Sequence, residues 1–310
     1  MAKNKRTSKS LTITLYIFIF VSIICISIFI YKVYKENIEL TNTLNIRKDT
    51  YQSLKNDNKN AINNLQNNIE KLNNLNEEIQ KLKNETFKNI SILEQKIKNK
   101  ESNKKIVYLT FDDGPYYTSY QVLDTLDKYG IKATFFTTNI NGEWCYGYKN
   151  QNCHELYKEY AKRNMTIANH TYTHAIHKGL YSSVNSFMDA VTKQENLISN
   201  LTGGYKTNIL RFPGGSNTAG SLKNPIINAL REKGYGYVDW TASDGDGGAH
   251  VTSEEAWSIF TNSINEDIEV VLFHDYYKIT INLLPKIIEY LQENGYIILP
   301  LFYDSIMVNK

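Results

Sequence analysis

Thr110-Phe111-Asp112-Asp113-Gly114-Pro115 is the stretch of sequence that decides the fold. An apolar run from Ile106 to Leu109 precedes it, and its two carboxylates are followed by the first glycine and the first proline of the chain. A strand that ends in adjacent aspartates places charge at the carboxyl edge of a sheet, where α/β folds keep their active sites. An ordinary solvated turn has the same composition, so the rest of the chain must decide between the two interpretations.

Downstream of this stretch, short β-branched or aromatic runs alternate with amphipathic segments, which predicts repeated β-α units. The predicted strands are 105–111, 133–138, 165–169, 208–212, 236–240, 269–273 and 296–301. The predicted helices are 119–129, 183–200, 221–233, 253–265 and 283–294. Repeated β-α units form a parallel sheet, and about seven strands in about 200 residues fit a small or distorted (β/α) barrel. The predicted fold class is therefore α/β.

The first third of the chain contains no glycine and no proline. A basic tail, residues 1–10, precedes an apolar segment, residues 11–31, which is long enough to cross a bilayer as a helix. No small-residue cleavage site follows, so we expect an uncleaved single-pass anchor in a bacterial cell membrane. The basic tail favours a cytoplasmic amino terminus and an extracellular remainder, with Lys32 and Lys35 as a weak opposing bias.

Residues 36–100 contain no helix breaker and repeat apolar residues at alternating steps of three and four, which predicts a helical coiled-coil stalk. The pattern is clearest at Leu65, Leu72, Leu75, Ile79 and Leu82. Asn58, Asn68 and Asn89 would occupy positions in the apolar seam. They either set the register of a homo-oligomer or leave a loosely associated helix. Residues 104–310 form the predicted globular domain.

Charge and cysteine content restrict the class of protein further. The net charge is +3 and the basic residues are scattered, so no nucleic-acid partner is expected. Cys145 and Cys153 are the only thiols of the globular part, because Cys25 lies in the apolar segment. Two cysteines are too few for a disulfide framework, but they can pair across their loop in an oxidising compartment. A disulfide and two unlinked thiols both fit the sequence.

Nearly every predicted strand ends in reactive side chains. His170 and His174 follow the third strand and are four residues apart, so a helical turn would let both imidazoles share one metal. Together with one aspartate of the first strand end they make an N,N,O donor set. Such a set suits zinc as a Lewis acid, although cobalt and other divalent metals also accept these ligands. Other strand ends carry Arg211, Asp246 and His274.

These residues belong to five ordered motifs that resemble the polysaccharide deacetylase (NodB-homology) family of carbohydrate esterases. The resemblance covers residues 104–310 and implies a distorted barrel that hydrolyses acetyl groups of glycans with a divalent metal. The motifs are Thr110-Phe111-Asp112-Asp113-Gly114, His170-Thr171-Tyr172-Thr173-His174, Arg211-Phe212-Pro213, Trp240 with Asp246, and Leu272-Phe273-His274.

The first three motifs supply the metal ligands and the base in this family. The resemblance implies that Asp112 is the catalytic base and that Arg211 orients it. The implied metal ligands are Asp113, His170 and His174. With an opposite charge beside it, Asp112 is expected to stay ionised.

The remaining motif residues would contact the substrate or donate a proton. The resemblance implies that the backbone N–H of Gly214, just after Pro213, binds the oxyanion. Trp240 and Leu272 would line the substrate groove. His274, oriented by Asp246, would be the general acid that protonates the departing amine.

The chain departs from the family pattern at a few positions. Many relatives carry a second proline and a tyrosine in the third motif, where this chain has Phe212 and Gly214. Many also carry an aspartate where Ser243 stands. A backbone donor survives the loss of the tyrosine side chain, so we expect altered substrate contacts rather than altered chemistry.

The leading hypothesis is metal-dependent removal of N-acetyl groups from peptidoglycan N-acetylglucosamine, because the anchor and stalk would hold the domain beside the cell wall. A poly-N-acetylglucosamine exopolysaccharide, muramic acid residues or O-acetyl xylan are the alternative substrates. A glycan-binding envelope scaffold without catalysis is the alternative class. The presence of every residue needed for metal binding, base and acid argues against the scaffold.

Overall fold

The computed structural model describes residues 3–145, 152–248 and 251–310 of the chain. Residues 1 and 2 of the expected basic tail lie outside this described part. The chain divides into two compact units, Met1–Lys81 and Leu82–Lys310. One long helix, α1 (Lys3–Lys98), supplies residues to both units.

In the first unit, α1 carries the apolar segment that the sequence analysis identifies as an anchor. The helix from Ile13 onward is long and apolar enough to cross a membrane, with a mean hydropathy of 2.8 in its apolar part. Phe18 and Phe29 in this part are exposed. Leu65 and Leu72 of the heptad pattern are exposed as well. The helix is continuous here, and its assembly into a coiled coil stays a prediction.

The second unit contains an eight-stranded parallel sheet. Its strands are β1 (Lys105–Asp112), β2 (Thr134–Thr137), β3 (Thr166–Asn169), β4 (Ile209–Leu210), β5 (Gly236–Tyr237), β6 (Ala242–Ser243), β7 (Ile268–His274) and β8 (Tyr296–Leu299). The order is β5-β4-β3-β2-β1-β7-β6, and β8 pairs with β1. Among the described residues no pairing joins β5 to β6, so the sheet is a curled, incompletely closed barrel. The predicted fold class is confirmed.

β1 pairs with three other strands of the sheet. It pairs with β7 from Ile106 to Asp112. On its other edge it pairs first with β8, up to Tyr108, and then with β2, from Thr110. In this register Asp112 is the direct partner of His274. The expected base and the expected acid therefore end neighbouring strands at the same edge of the sheet.

Helices cover the outside of the sheet, and the barrel interior holds a second apolar cluster. The helices after α1 are α2 (Ser119–Lys128), α3 (Cys153–Lys162), α4 (Val184–Thr202), α5 (Lys223–Glu232), α6 (Ser253–Ser263) and α7 (Lys278–Glu293). Val107 and Leu109 of β1 pack in one buried cluster with residues of α2 and α7. Ile106 and Tyr108 pack in another with residues of β2 and β7. This alternation is the two-residue period of a strand buried on both faces, and it directs Asp112 inward.

Residues 82–98 of α1 pack within the second unit. Phe87 stacks on Phe302 at a centroid distance of 4.8 Å. Glu94 is fully buried and accepts hydrogen bonds from the Tyr108 hydroxyl (2.7 Å) and the Ser305 hydroxyl (2.5 Å). The compact unit thus begins at Leu82, and residue 104 as the start of the catalytic domain stays a prediction.

Two elements are absent from the sequence-based prediction. α3 begins after Asn152, whose side chain accepts hydrogen bonds from the backbone amides of His154 and Glu155. β6 is only two residues long, too short for a periodic pattern. Cys145 and Cys153 form a disulfide with a Cα–Cα distance of 5.0 Å, which decides between the two alternatives left by the sequence.

Candidate active site

Asp112 and Arg211 form a buried ion pair at the end of β1. The Arg211 Nη1 atom donates to Asp112 Oδ1 at 2.8 Å and to the Thr110 hydroxyl at 2.7 Å. Its Nε and Nη2 atoms donate to the backbone carbonyls of Val238 and Asp239, both at 3.2 Å. Arg211 is fully buried and Asp112 is 3% exposed. The guanidinium is thus held on several sides, and it fixes the orientation of the carboxylate.

The charge state of this pair follows from burial and pairing together. Burial raises the pKa of Asp112, and the charge of Arg211 acts in the opposite direction. Burial likewise lowers the pKa of Arg211, and Asp112 opposes that shift. A guanidinium stays protonated in proteins, and leaving it buried without its counter-charge would be costly. We therefore treat the pair as ionised, with Asp112 more basic than a carboxylate in water.

Asp113, His170 and His174 bring three ligand atoms together. These atoms lie within 4.8 Å of one another. The Asp113 Oδ1 atom is 3.5 Å from the Nε2 atoms of both histidines. It is buried and has no hydrogen-bond partner among the described residues. The three residues that were expected to bind the metal thus lie close together.

The protonation of His170 shows that this point suits a cation. His170 Nδ1 lies 2.8 Å from the Arg211 carbonyl oxygen, so it carries the hydrogen and donates. Burial lowers the pKa of His170 to about 3, so the ring is neutral and Nε2 presents a lone pair. That lone pair and the unpartnered Asp113 oxygen face each other with no hydrogen between them. An N,N,O donor set of this kind fits a divalent metal.

The backbone around these three candidate ligands adopts a sparsely populated conformation. Asp113, Thr171 and His174 have φ values of 67°, 64° and 47°. Non-glycine residues in this left-handed region cost on the order of 1 kcal/mol each and occur preferentially at functional sites. At Asp113 the change in φ ends β1 and turns its carboxylate away from Asp112 toward the histidines.

His274 and Asp246 form the second charged pair of the site. The His274 Nδ1 atom and its backbone N–H both lie 2.7 Å from the Asp246 carboxylate, at Oδ1 and Oδ2 respectively. Burial alone would lower the pKa of His274. The hydrogen bond and charge of Asp246, with further carboxylates nearby, outweigh burial and raise it to about 9. His274 is therefore protonated at neutral pH, as a general acid requires.

Three residues near the site were missed by the sequence analysis. Asp244 is fully buried behind Asp246, and the Thr280 hydroxyl lies against both carboxylates. The Tyr276 hydroxyl donates to Asp113 Oδ2 at 3.4 Å. The Asp-x-Asp spacing of 244 and 246 was a visible signal. A threonine and a tyrosine in the segment after β7 carried none.

A cavity of about 480 Å³ opens onto these groups. Its lining includes the three candidate metal ligands, His274, Asp246, Gly214, Trp240 and Leu272. Pro213 is not part of this lining, and its carbonyl accepts a hydrogen bond from the Tyr181 hydroxyl. A larger recess of about 620 Å³ lies beside Phe87 and Phe302 and contains none of these residues. The smaller cavity is the candidate active site because the reactive groups converge on it.

Gly214 and Trp240 form part of the cavity wall. Gly214 has a φ of 73°, and a Cβ atom there would lie 3.0 Å from the Thr218 hydroxyl oxygen. The neighbouring Gly215 leaves room for the Trp240 ring, which a Cβ atom would meet at 3.1 Å. Trp240 is 37% exposed, so part of the ring is free to contact a substrate. This part of the wall is thus formed by closely packed glycine backbone and one aromatic ring.

Comparisons with protein families and with solved structures both find similarity to polysaccharide deacetylases. The model of the polysaccharide deacetylase family matches residues 99–238. The solved catalytic domain of a peptidoglycan N-acetylglucosamine deacetylase from Eubacterium rectale is 33% identical, with a TM-score of 0.60. That alignment covers 67% of this chain and 93% of the other. It therefore spans nearly the whole of a known catalytic domain.

Two curated relatives extend the comparison. A peptidoglycan-N-acetylglucosamine deacetylase of Bacillus cereus is 29% identical over 199 residues, which are 62% of this chain and 68% of the relative. A bifunctional xylanase/deacetylase of Pseudobutyrivibrio xylanivorans is 31% identical over 196 residues, which are 63% of this chain and 29% of the relative. The chain belongs to the polysaccharide deacetylase family of hydrolases.

Proposed function

We propose that the protein removes N-acetyl groups from N-acetylglucosamine residues of peptidoglycan, in a metal-dependent hydrolysis. One observation carries the proposal. Asp113 Oδ1 and the lone pair of His170 Nε2 lie together in the cavity. The carboxylate of Asp112 and the protonated imidazole of His274 lie beside them, at the ends of neighbouring strands. Amide hydrolysis needs a base for water and an acid for the departing nitrogen, and this cavity supplies both.

The metal would be held by Asp113, His170 and His174. When bound, a divalent metal supplies Lewis acidity that polarises the acyl oxygen and acidifies water. The N,N,O donor set supports zinc, and cobalt is the nearest substitute.

The chain's own residues carry the proton transfers. Arg211 holds Oδ1 of Asp112, which leaves Oδ2 to accept the proton of the attacking water. The backbone N–H of Gly214 donates to the oxygen that becomes negative in the tetrahedral intermediate. His274, fixed through Nδ1 by Asp246, donates its Nε2 proton to the nitrogen as the C–N bond breaks. The products are acetate and a free amino sugar.

The substrate is inferred from the relatives and from the first unit. Two of the similar proteins are peptidoglycan N-acetylglucosamine deacetylases. The apolar helix supports a single-pass anchor in the cell membrane. The basic tail, residues 1–10, favours an orientation with the catalytic unit outside, beside the cell wall. The exposed heptad residues of α1 support a homo-oligomer formed through the stalk, which the molar mass of the chain in detergent would test.

The test is the release of acetate and of new amine by the full chain in detergent, with zinc, from several polymers. Purified peptidoglycan, poly-N-acetylglucosamine and acetylated xylan are compared, and the deacetylated sugar of peptidoglycan is identified by mass spectrometry. We expect equal amounts of acetate and glucosamine from peptidoglycan. Free muramic amine, activity on poly-N-acetylglucosamine alone, or acetate without amine from xylan would each assign a different substrate.

The non-catalytic alternative has its own outcome in the same experiment. A metal-loaded chain that binds peptidoglycan in a pull-down but releases no acetate from any polymer would be a glycan-binding scaffold. The Asp112→Asn variant is the matched control, because it removes the base and leaves the three metal ligands in place.

A further inference from the structure

A second buried carboxylate stands behind the His274–Asp246 pair. Asp244 is fully buried and Asp246 is 5% exposed. Among the described residues, the ion pair made by these two carboxylates joins Asp246 to His274, and no lysine or arginine pairs with Asp244. Two carboxylates so close together in a buried site do not both ionise readily. The hydrogen bonds around Thr280 show how the charge is arranged.

The Thr280 hydroxyl lies between the two carboxylates. Its oxygen is 2.7 Å from Asp244 Oδ2 and 2.9 Å from Asp246 Oδ2. A hydroxyl group has one hydrogen to donate. If both aspartates were ionised, one of these short contacts would join two acceptors with no hydrogen between them. A proton on one carboxylate removes the conflict, because that acid donates to Thr280 while Thr280 donates to the other aspartate.

The proton belongs on Asp244. Asp246 already accepts from the backbone N–H and from Nδ1 of His274, both at 2.7 Å, and these donors favour its ionised form. Asp244 accepts a longer bond of 3.2 Å from the Asp246 amide, at its other oxygen. Burial raises the pKa of Asp244 to about 7. Asp244 therefore donates a hydrogen bond to Thr280, and Thr280 donates one to Asp246.

We propose that Asp244 is a positioning residue of the active site, which as a neutral carboxylic acid acts through Thr280 to hold Asp246 ionised and aimed at His274. Asp246 then has both oxygens occupied, Oδ2 by Thr280 and the His274 backbone and Oδ1 by the imidazole. The ring of His274 is fixed with its proton-bearing Nδ1 atom on Asp246 and its Nε2 atom toward the cavity. The proposal rests on the proposed function only in that His274 acts as the general acid.

Two pairs of variants test the role of the donated proton in the full chain. Asp244→Asn keeps a donor for Thr280 and an acceptor for the Asp246 amide, whereas Asp244→Ala removes both. Thr280→Ser keeps the hydroxyl, whereas Thr280→Val removes it and keeps the shape. We expect kcat to fall about 10-fold to 100-fold in Asp244→Ala and Thr280→Val, by analogy with the range for partners that orient metal-ligating histidines. Asp244→Asn and Thr280→Ser should stay within about 3-fold of the wild type.

The Michaelis constant and the metal content separate this role from general damage. Both should be unchanged in all four variants, because Asp244 and Thr280 do not themselves line the cavity and make no hydrogen bond to Asp113, His170 or His174. Equal losses in Asp244→Asn and Asp244→Ala would overturn the proposal, since an ionised carboxylate would then be required. A Thr280→Val variant with full kcat would overturn it as well.

A substrate-independent measurement keeps the proposal testable if the wild type releases no acetate, an outcome that contradicts the proposed function instead. The chain is labelled with ¹⁵N-histidine, and the Nδ1–H signal of His274 is assigned by its loss in His274→Gln. We expect that signal to persist in Asp244→Asn and to be lost to solvent exchange in Asp244→Ala. A signal that is identical in the two variants would show that Asp244 does not hold the pair.

Discussion

His170 and His274 line the same cavity, but one ring is neutral and the other is protonated. His170 Nδ1 donates to a backbone carbonyl, and burial lowers its pKa to about 3. His274 Nδ1 donates to the Asp246 carboxylate, which raises the pKa to about 9 against the effect of burial. A neutral ring can offer a lone pair to a metal, and a charged ring can offer a proton. Burial disfavours the charged form of both rings, and this effect is overcome only at His274, where Nδ1 has a carboxylate partner.

The largest effect is expected from removing the neutral histidine. In His170→Ala the donor set loses one of its three ligands, so the affinity for zinc should fall by more than the roughly 100-fold typical of changes behind a ligand. Acetate release should become undetectable at equimolar zinc. Zinc per chain after dialysis and acetate release are the two measurements. Retention of stoichiometric zinc would show that His170 is not a ligand.

Removing the charged histidine should separate catalysis from metal binding. His274→Gln loses the proton donor, so kcat should fall by about 10²-fold to 10⁴-fold, the range for general acid–base groups. Zinc content should match the wild type, because His274 Nε2 is only a distant neighbour of Asp113 Oδ2, at 3.9 Å. A variant that lost both zinc and activity would remove the distinction between the two histidines.

Neutralising the partner of Nδ1 tests the cause of the difference directly. In Asp246→Asn, His274 keeps a hydrogen-bond partner but loses the charge that raises its pKa. We expect the pKa of His274 to fall below about 6.5, the value in water, and kcat at pH 7.5 to fall by about 10-fold or more. Histidine titration by NMR and the dependence of kcat on pH give the two values. An unchanged His274 pKa would mean that the neighbouring aspartates, rather than Asp246, hold the proton.

Much of this arrangement could be predicted from the sequence, because parallel strands bring their carboxyl ends to one edge. Asp113 follows β1 and both histidines follow β3, yet the three residues meet at the expected place. The Arg211–Asp112 contact was predicted too, and it is present at 2.8 Å. These residues follow strands with clear apolar patterns, so their position in the fold could be inferred from their position in the chain.

The residues that escaped prediction lie where no periodic pattern marks them. Thr280 is a single hydroxyl in the first turns of α7, and only the packing of α7 brings it to Asp244 and Asp246. The packing of Glu94 on Tyr108 was equally hidden, because the docking face of α1 does not interrupt its helical pattern. Contacts of this kind depend on tertiary structure, which spacing along the chain does not encode.

Asp275, the residue after His274, extends the comparison to a buried group whose partners are neutral. Its carboxylate accepts hydrogen bonds from the hydroxyls of Ser119 and Tyr160, and its Oδ1 atom has no partner among the described residues. Burial raises the pKa of Asp275 to about 7. In the unfolded chain an aspartate has a pKa of about 3.9. Between these values the folded state binds more protons, so this group makes the free energy of unfolding fall as pH rises from about 4 to 7, and no further above 7.

Asp275→Asn should remove that dependence, and of the four variants it should change acetate release least, because Asp275 does not line the cavity. Any constant effect of the amide cancels when the same variant is compared with the wild type at two pH values. Between pH 5 and pH 8, the free energy of unfolding of the variant should gain on the wild type by up to about 3 kcal/mol. In the detergent-solubilised chain, the Tm of the variant minus the Tm of the wild type should be more positive at pH 8 than at pH 5. Equal differences at both pH values would mean that Asp275 is ionised in the folded protein, and that its hydroxyl partners suffice to hold a buried charge.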